Sequence, residues 1–358
     1  MSEMLELYIY PFVFFMTVIG FSVLIRDSSR FYFPILVLSI SLTLILLLLR
    51  NPFSPYDSIN YAWMYEEQKS IYNIFNAYHG DYFFSFTQYV GNFFGIEVSN
   101  FLIIQSIVFY IISVVGFKLL LKDFRCFLLC ICIFSLTSTF VLLYTNVMRQ
   151  GLALALLLLS FGFFYRRFFT LSIVFSVFSV YSHVSSLLVY VVFAILINLN
   201  FSKRTYFIFL VALPLISLLS SFVLKFLGGV TSKIDSLASQ EYNNNLVYLK
   251  LTLMYISSLL FYWFLSKVDE LKNESYHFLM TVYVSALFMS FVFLPVLLIS
   301  SRYIYYASAF LPILYSIMLC YKNNIINVYT RFFIGMLISF LFGIFVYSFD
   351  STRAQLGI

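Results

Sequence analysis

Residues 140–159 read Phe140-Val-Leu-Leu-Tyr-Thr-Asn146-Val-Met-Arg149-Gln150-Gly151-Leu-Ala-Leu-Ala-Leu-Leu-Leu-Leu159. One permanently charged side chain, Arg149, therefore stands at the junction of two apolar runs that both have the character of membrane spans. A guanidinium costs roughly 2.5–3.5 kcal/mol near the centre of a span and less toward its edge, so such a residue usually marks a functional site. The stretch predicts a helical membrane protein with Arg149 as its first candidate functional residue.

The composition of the whole chain is that of an integral membrane protein. Of its 358 residues, 62% are hydrophobic and only 10% are charged, and the mean hydropathy is +0.97. The formal net charge of +6 is modest and no long basic run occurs, which argues against nucleic acid as a partner. The four cysteines lie inside apolar runs, which is typical of buried inert thiols, so the sequence predicts neither a disulfide nor a metal site.

Apolar runs long enough to cross ~30 Å of hydrocarbon follow one another along most of the chain. They predict an all-α fold, a polytopic transmembrane helix bundle of about 12 spans that forms a single integral membrane domain over residues 1–358. Outer loops are predicted at about 50–100 and 225–250. The predicted spans are 8–25, 31–49, 98–117, 126–144, 150–165, 168–182, 184–199, 206–224, 246–265, 276–298, 303–320 and 332–349. Because 168–182 and 184–199 are short for spans, a tilted, broken or re-entrant pair is the alternative there.

The basic residues of the connections predict the orientation of the spans, because cytoplasmic connections accumulate Lys and Arg. One alternating set of connections holds most of them, namely Arg26, Arg30, Lys118, Lys122, Arg125, Arg166, Arg167, Lys203, Arg204, Lys267, Lys272, Lys322 and Arg331. This set marks the cytoplasmic side. Both termini and both long loops are then predicted to lie outside the cytoplasm.

Three residues that end predicted spans, Arg149, His183 and Arg302, fall on the same outer face. Taken singly, each has an ordinary alternative: an arginine at a span end often snorkels to lipid headgroups, and a histidine there often caps a helix. Positive charge is nevertheless disfavoured in short outer connections. Two arginines in such connections therefore predict an anionic ligand.

The predicted outer loop at 50–100 is the richest polar segment of the chain. It is net acidic and combines carboxylates with tyrosines, asparagines and Trp63, a mixture that suits sugar recognition. Asp57 and Asp81 each stand among aromatic residues, where the pKa of a carboxylate can be tuned toward general-base work. The alternative is an amphipathic loop that lies on the lipid headgroups.

Several short motifs together carry a resemblance to a known family. In chain order they are Asp57-x-x-Asn60-Tyr61, Asp81 before an aromatic-rich helix, Asn146-x-x-Arg149-Gln150-Gly-x-Ala153, the basic turn Arg166-Arg167, His183-x-Ser185 and Ser301-Arg302-Tyr303. In this order, and over most of the chain, the sequence resembles the EpsG family of Wzy-type polysaccharide polymerases. The family often has Glu at the place of Asp81.

The resemblance implies an enzyme of bacterial surface-polysaccharide assembly, similar to the metal-independent membrane glycosyltransferases of the GT-C class. Such an enzyme uses no cofactor and joins oligosaccharide repeat units of O-antigen, capsule or exopolysaccharide that are carried by undecaprenyl pyrophosphate. It works at the outer face of the bacterial cytoplasmic (inner) membrane. Membrane lipid, a chain-length regulator and a flippase are the partners that the resemblance implies.

The chemistry of such a transfer suggests roles for individual residues. The candidates for catalysis are Arg149, His183, Arg302, Asp57 and Asp81, and those for substrate binding are Gln150, Asn146, Tyr61 and Tyr303. The two arginines would stabilise the pyrophosphate as it leaves, and the histidine or one of the carboxylates would accept the proton of the attacking hydroxyl in an inverting displacement. Gln150 and Tyr303 would hold the arginines in place.

Three alternatives from other functional classes stay open on the sequence. A lipid-linked oligosaccharide flippase would also have about 12 spans, but its basic residues are expected to line a central cavity. A membrane O-acyltransferase would use His183, placed toward a cytoplasmic acyl donor. An O-antigen ligase would share nearly all of the proposed chemistry and would differ only in its acceptor.

Overall fold

The computed structural model describes residues 2–25, 29–54, 56–75, 80–198, 203–228, 244–267, 274–320, 328–348 and 356. Within these residues the regular structure is entirely helical. The helices are α1 Ser2–Ile25, α2 Tyr32–Leu49, α3 Tyr56–Glu67, α4 Ile71–Phe75, α5 Tyr82–Phe93, α6 Val98–Leu120, α7 Phe124–Ser135, α8 Ser138–Thr145, α9 Met148–Tyr165, α10 Phe169–Ser182, α11 Ser185–Asn198, α12 Lys203–Gly228, α13 Asn244–Lys267, α14 Glu274–Val292, α15 Leu297–Cys320 and α16 Val328–Ser348. The prediction of an all-α fold is confirmed for the described part of the chain.

Among the described residues, five helices are long and apolar enough to cross a membrane: α1, α2, α6, α9 and α15. The pair α7 and α8, which are bent by 70° against each other, makes a sixth candidate when it is counted as one broken span. Shorter apolar helices lie in α10 to α14. The multi-pass membrane character is therefore confirmed, while the number of spans stays a prediction.

The chain divides into two compact units. The first contains Met1–Ser186 and Tyr315–Ile358, and the second contains Leu187–Leu314. The prediction of one integral membrane domain concerns insertion into a bilayer and stays a prediction. The predicted second outer loop, 225–250, lies largely outside the described residues.

The predicted outer loop at 50–100 differs most from the expectation, because α3 and α4 form within it in addition to α5, the helix that follows Asp81. In α5, Phe84, Ser85, Gln88 and Gly91 are buried. These positions recur at helical spacing and form one face. The aromatic-rich helix expected after Asp81 is therefore confirmed as α5.

The predicted span at 126–144 is also interrupted. It forms α7 and α8, and the chain turns between them at Leu136 and Thr137. The Thr137 hydroxyl accepts a hydrogen bond from the Phe140 amide (3.2 Å), which caps the start of α8. A free backbone amide is costly at membrane depth, and the cap supplies its partner.

Three helices, α6, α9 and α10, form the centre of the first unit, and their small residues fix their register. A Cβ added to Gly116 of α6 would lie 2.7 Å from Cβ of Leu158, and one added to Gly162 of α9 would lie 2.6 Å from Cβ of Leu119. Residue numbers thus rise together along α6 and α9, so these two helices run parallel. The glycines allow their backbones to approach closely.

The contact between α9 and α10 is held by serine hydroxyls. Ser160 donates to the Ser172 carbonyl (2.9 Å), and Ser179 donates to the Ala153 carbonyl (2.8 Å). Because the residue numbers of the bonded positions fall along α9 as they rise along α10, the two helices are antiparallel. This register brings the beginning of α9 level with the end of α10.

Candidate functional site

A buried carboxylate, that of Asp81, stands at the centre of the candidate site. Asp81 directly precedes α5 and its side chain is 2% exposed. Its Oδ2 accepts a hydrogen bond from Arg149 Nη1 (2.7 Å), and its Oδ1 lies 3.6 Å from His183 Nδ1. A distance of 3.6 Å is an ion-pair contact, slightly too long for a hydrogen bond. One carboxylate thus contacts two of the three basic residues that the sequence singled out. We call Asp81, Arg149 and His183 together the Asp81 cluster.

The register of α9 and α10 explains why Arg149 and His183 meet. Arg149 lies in the first turn of α9, and His183 directly follows α10. The His183 amide donates to the Ser179 carbonyl (3.0 Å), while the His183 carbonyl accepts from the Ser186 amide and hydroxyl (both 3.1 Å). The backbone of His183 is therefore held on both sides, and its imidazole is placed beside the carboxylate.

Helix α5 carries Asp81 to these residues along the surface of α6. Gln105 Nε2 donates to Thr87 Oγ1 (3.0 Å), and a Cβ on Gly91 would meet the ring of Phe101. The two helices are consequently antiparallel. Asp81 therefore lies farther from Val98, the first residue of α6, than Gln105 does. Gln105 is two helical turns from the Val98 end of α6, which is roughly 10 Å at 1.5 Å per residue. The cluster is thus set well inside the length of α6, a helix that is long and apolar enough to cross a membrane.

Tyr61 of α3 completes the surroundings of Arg149. Its side chain is buried, and the Arg149 Cζ lies 6.0 Å from the centre of its ring. Burial raises the pKa of the Tyr61 phenol above its usual value, and the charge of Arg149 opposes this shift. The phenol consequently stays protonated at neutral pH. Tyr61 was predicted to bind substrate, and its position next to Arg149 is compatible with that role.

Asn146 and Asp57 lie at the turn that precedes α9. The Asp57 amide donates to Asn146 Oδ1 (3.1 Å), and the Ser58 hydroxyl donates to the Thr145 carbonyl (3.1 Å). These bonds attach the beginning of α3 to the end of α8. Asn146 therefore fixes the position of α3 through its side-chain oxygen, and the half-buried Asp57 stands in the first turn of that helix.

The remaining predicted residues occupy different surroundings. Gln150 follows Arg149 in α9 and is fully buried, which suits a supporting role better than direct contact with a substrate. Arg302 and Tyr303 belong to α15 in the second unit. There the Tyr303 ring stacks on Phe293, with centroids 5.6 Å apart and planes at 15°. A role for Arg302 beside Arg149 stays a prediction.

Arg50 is a residue whose importance the sequence reasoning missed. It follows α2 and is completely buried, with Nη2 donating to the Leu102 carbonyl (3.0 Å) and to Ser106 Oγ (2.7 Å). The Ser106 hydroxyl in turn donates to the Tyr144 carbonyl at the end of α8. Arg50 thereby braces the turn from which Arg149 extends. The signal was a lone arginine directly after an apolar run, the same pattern that identified Arg149.

Comparison with known proteins agrees with the motifs. A model of the EpsG family matches residues 30–355, a range that covers most of the first unit, the whole of the second unit and all of the candidate residues. No curated protein and no solved structure matches the chain.

Proposed function

The chain belongs to the EpsG family, and from that premise we propose that it is a membrane glycosyltransferase that polymerises a surface polysaccharide. Its substrates are oligosaccharide repeat units carried by undecaprenyl pyrophosphate, and it joins them at the outer face of the bacterial cytoplasmic membrane. Family membership supports the coarser part of this statement, a membrane protein with a function related to polysaccharide polymerisation. The geometry of the Asp81 cluster supports the finer part.

The observation that carries the proposal is that Asp81 contacts both Arg149 and His183. These contacts lie between the two ends of α6 and not at either end. A carboxylate beside Nδ1 favours the imidazole tautomer that has its proton on Nδ1. In that tautomer Nε2 carries no proton, so it can accept one from a substrate hydroxyl. The 3.6 Å contact shortens to a hydrogen bond when the substrate is bound, as catalytic contacts commonly do. His183 is accordingly the general base, and Asp81 is its positioning residue.

The second role in the proposal belongs to Arg149. One edge of its guanidinium is held by Asp81, while the side chain stays 25% exposed. A guanidinium has five N–H donors in a fixed plane, so the groups that Asp81 does not use can contact an anionic ligand. The Asp81 contact also lowers the cost of keeping this charge at membrane depth. Arg149 thus stabilises the negative charge of the departing pyrophosphate.

The reaction is a single displacement. The oxygen of an acceptor sugar hydroxyl forms a bond to the anomeric carbon of the growing chain, and the bond from that carbon to the carrier pyrophosphate breaks. The hydroxyl proton passes to His183 Nε2, and the bonding electron pair leaves with the pyrophosphate beside Arg149. Direct attack of this kind inverts the anomeric configuration. Asp57 is the alternative base because it stands at the neighbouring helix end.

The proposed membrane arrangement has about 12 spans in a GT-C-like architecture. Twelve helical segments are available for these spans. They are the six candidates counted above, in which α7 and α8 count as one, the five shorter apolar helices α10–α14, and α16. The distribution of Lys and Arg among the connections supports an external position for the cluster. The proposal requires this position, because the lipid-linked repeat units are joined at the outer face of the membrane.

Deletion of the gene tests the function directly. We expect surface lipid that carries a single repeat unit, with the ladder of longer chains absent from a gel of the surface polysaccharide. Expression of the wild-type chain from a plasmid should restore the ladder. Loss of every unit would instead indicate a flippase, and a ladder that persists unattached to its final acceptor would indicate a ligase. An unchanged polysaccharide that lacks only an acyl substituent would favour an acyltransferase.

Substitution of Gly151 tests whether the turn before α9 positions Arg149. A Cβ at Gly151 would collide with the Leu143 carbonyl, a backbone group of α8 that cannot rotate away. We expect Gly151→Ala to destabilise the protein by about 1–3 kcal/mol and to lower the activity of the molecules that remain folded. Thermal unfolding and polymerisation per folded molecule are the two measurements.

Gly162→Ala is the matched control, because its Cβ would crowd Leu119 at the opposite end of the same helix. It should lower stability but leave the activity per folded molecule nearly unchanged. Equal loss of specific activity in both variants would show that crowding of α9 acts generally and not through Arg149.

A further inference from the structure

Two tyrosines, Tyr82 and Tyr181, form the exposed rim of the Asp81 cluster. Tyr82 directly follows Asp81, and Tyr181 stands two residues before His183. Their ring centroids are 6.0 Å apart and their planes are inclined by 55°. The side chains are 38% and 48% exposed, whereas Asp81 beside them is almost completely buried. The partly exposed rings therefore lie next to the proposed reacting groups.

The depth of this pair separates it from an interfacial aromatic belt, which lies at headgroup level. The antiparallel register of α5 and α6 places Tyr82 farther from the Val98 end of α6 than Gln105, which is itself roughly 10 Å from that end. Tyr181 lies near the level of Arg149 through the register of α9 and α10. The 23 residues of α6 are long enough to cross a membrane, so both rings lie away from its ends.

Exposed phenol groups at such a depth require a polar environment. A hydroxyl that faces hydrocarbon has no hydrogen-bond partner and is costly to place there. Phenylalanine would suffice for contact with lipid chains. The combination of aromatic face, hydroxyl and neighbouring charges fits a ligand that has both apolar C–H surfaces and hydroxyl groups.

We infer that Tyr82 and Tyr181 form a subsite for a sugar ring of the carbohydrate substrate, next to the bond that reacts. The inference rests on the proposed function and assigns it a recognition element. The aromatic faces stack on the C–H face of the sugar, and the phenols exchange hydrogen bonds with its hydroxyls. Binding at this subsite places the sugar ring beside His183 and Arg149. The subsite contributes mainly to the affinity for the substrate.

The experiment uses the full-length purified protein and the lipid-linked repeat unit that the deletion strain accumulates. The doubly substituted variant Tyr82→Leu/Tyr181→Leu removes the aromatic faces, and Tyr82→Phe/Tyr181→Phe removes only the hydroxyls. We expect the Leu variant to raise KM about tenfold with little change in kcat. The Phe variant should raise KM by a smaller factor. Phe93→Leu, which removes a ring that is 72% exposed at the other end of α5, should leave both constants unchanged.

An unchanged KM in the Leu variant would overturn the inference, since the rings would then face lipid. A fall in kcat at constant KM would also overturn it, because the rings would then act on the reaction and not on binding. Thermal unfolding of each variant verifies its fold, and Tyr181→Leu alone decides the question if the double variant does not fold. Failure of the proposed function is a separate result, namely that the wild-type protein does not polymerise this substrate at all.

Discussion

Replacement of Asp81 by Asn is expected to reduce polymerisation by at least about 100-fold, the range that general acid–base catalysis contributes. Asn has nearly the same shape, but it lacks the negative charge that holds Arg149 and orients the imidazole of His183. Chain length on a gel and the turnover of purified protein are the measurements. Asp81→Glu keeps the charge with one additional methylene, so it should retain more activity than Asp81→Asn.

Loss of the Asp81 charge also affects stability, because it leaves Arg149 largely buried without its partner. Breaking a fully buried ion pair costs about 3–5 kcal/mol, and the partial exposure of Arg149 places the expected loss below that range. The double variant Asp81→Asn/His183→Gln should be no less active than the less active of the two single variants, since both residues act in one proton transfer.

Asp57→Asn is the matched control for Asp81→Asn, because Asp57 is the other carboxylate that the sequence offered as a base. We expect it to retain most of the activity, as the bond that Asn146 accepts comes from the backbone of Asp57 and survives the substitution. If Asp57→Asn abolishes polymerisation while Asp81→Asn leaves a full ladder, Asp57 is the base and the assignment to His183 and Asp81 is wrong.

Replacement of Arg149 by Lys is expected to lower kcat by about 100-fold or more, comparable to removal of one donor from a site that stabilises a developing anion. Lysine keeps the positive charge but loses the planar arrangement of donors. It cannot hold Asp81 and contact pyrophosphate at the same time in the way that a guanidinium can. Turnover of the lipid-linked repeat unit by purified, folded protein is the measurement.

Arg166→Lys provides the control at the opposite end of α9. Arg166 donates from Nε to the Leu119 carbonyl (2.8 Å), so this substitution also replaces a guanidinium that is hydrogen-bonded to its surroundings. Its activity should stay close to that of the wild type. Normal chain length in Arg149→Lys would contradict the pyrophosphate role. Arg302→Lys tests the second predicted arginine in the same assay, and a comparable loss would place Arg302 in the reaction.

Much of the fold was predictable from the sequence because the signals are local. Long apolar runs predicted helices at the positions of α1, α2, α6 and α9–α16, since a membrane-crossing segment requires about 20 apolar residues and internally paired backbone groups. The exceptions have local reasons as well. The 126–144 run looked continuous although Thr137 caps a new helix there, and α3 was hidden by the polar residues that it carries, whereas the aromatic-rich helix expected after Asp81 is present as α5.

The candidate residues could be found for a related reason. A charge such as Arg149 or an imidazole such as His183 is conspicuous against an apolar background, because its burial is costly without a specific purpose. Arg50 also follows an apolar run, but its place at the start of the predicted loop at 50–100 concealed its role. Its complete burial and its bonds to Leu102 and Ser106 are properties of the folded chain.

The partners of those residues depended on the tertiary structure. Nothing local connects Asp81 with Arg149, 68 positions away along the chain. Three contacts between helices decide that they meet: glycines set α9 parallel to α6, serines set α10 antiparallel to α9, and Thr87 with Gln105 sets α5 antiparallel to α6. Hydropathy indicates which segments enter the membrane but carries no information on helix register. Close packing and hydrogen bonds between helices supply that register, and they turn three separate polar residues into one cluster.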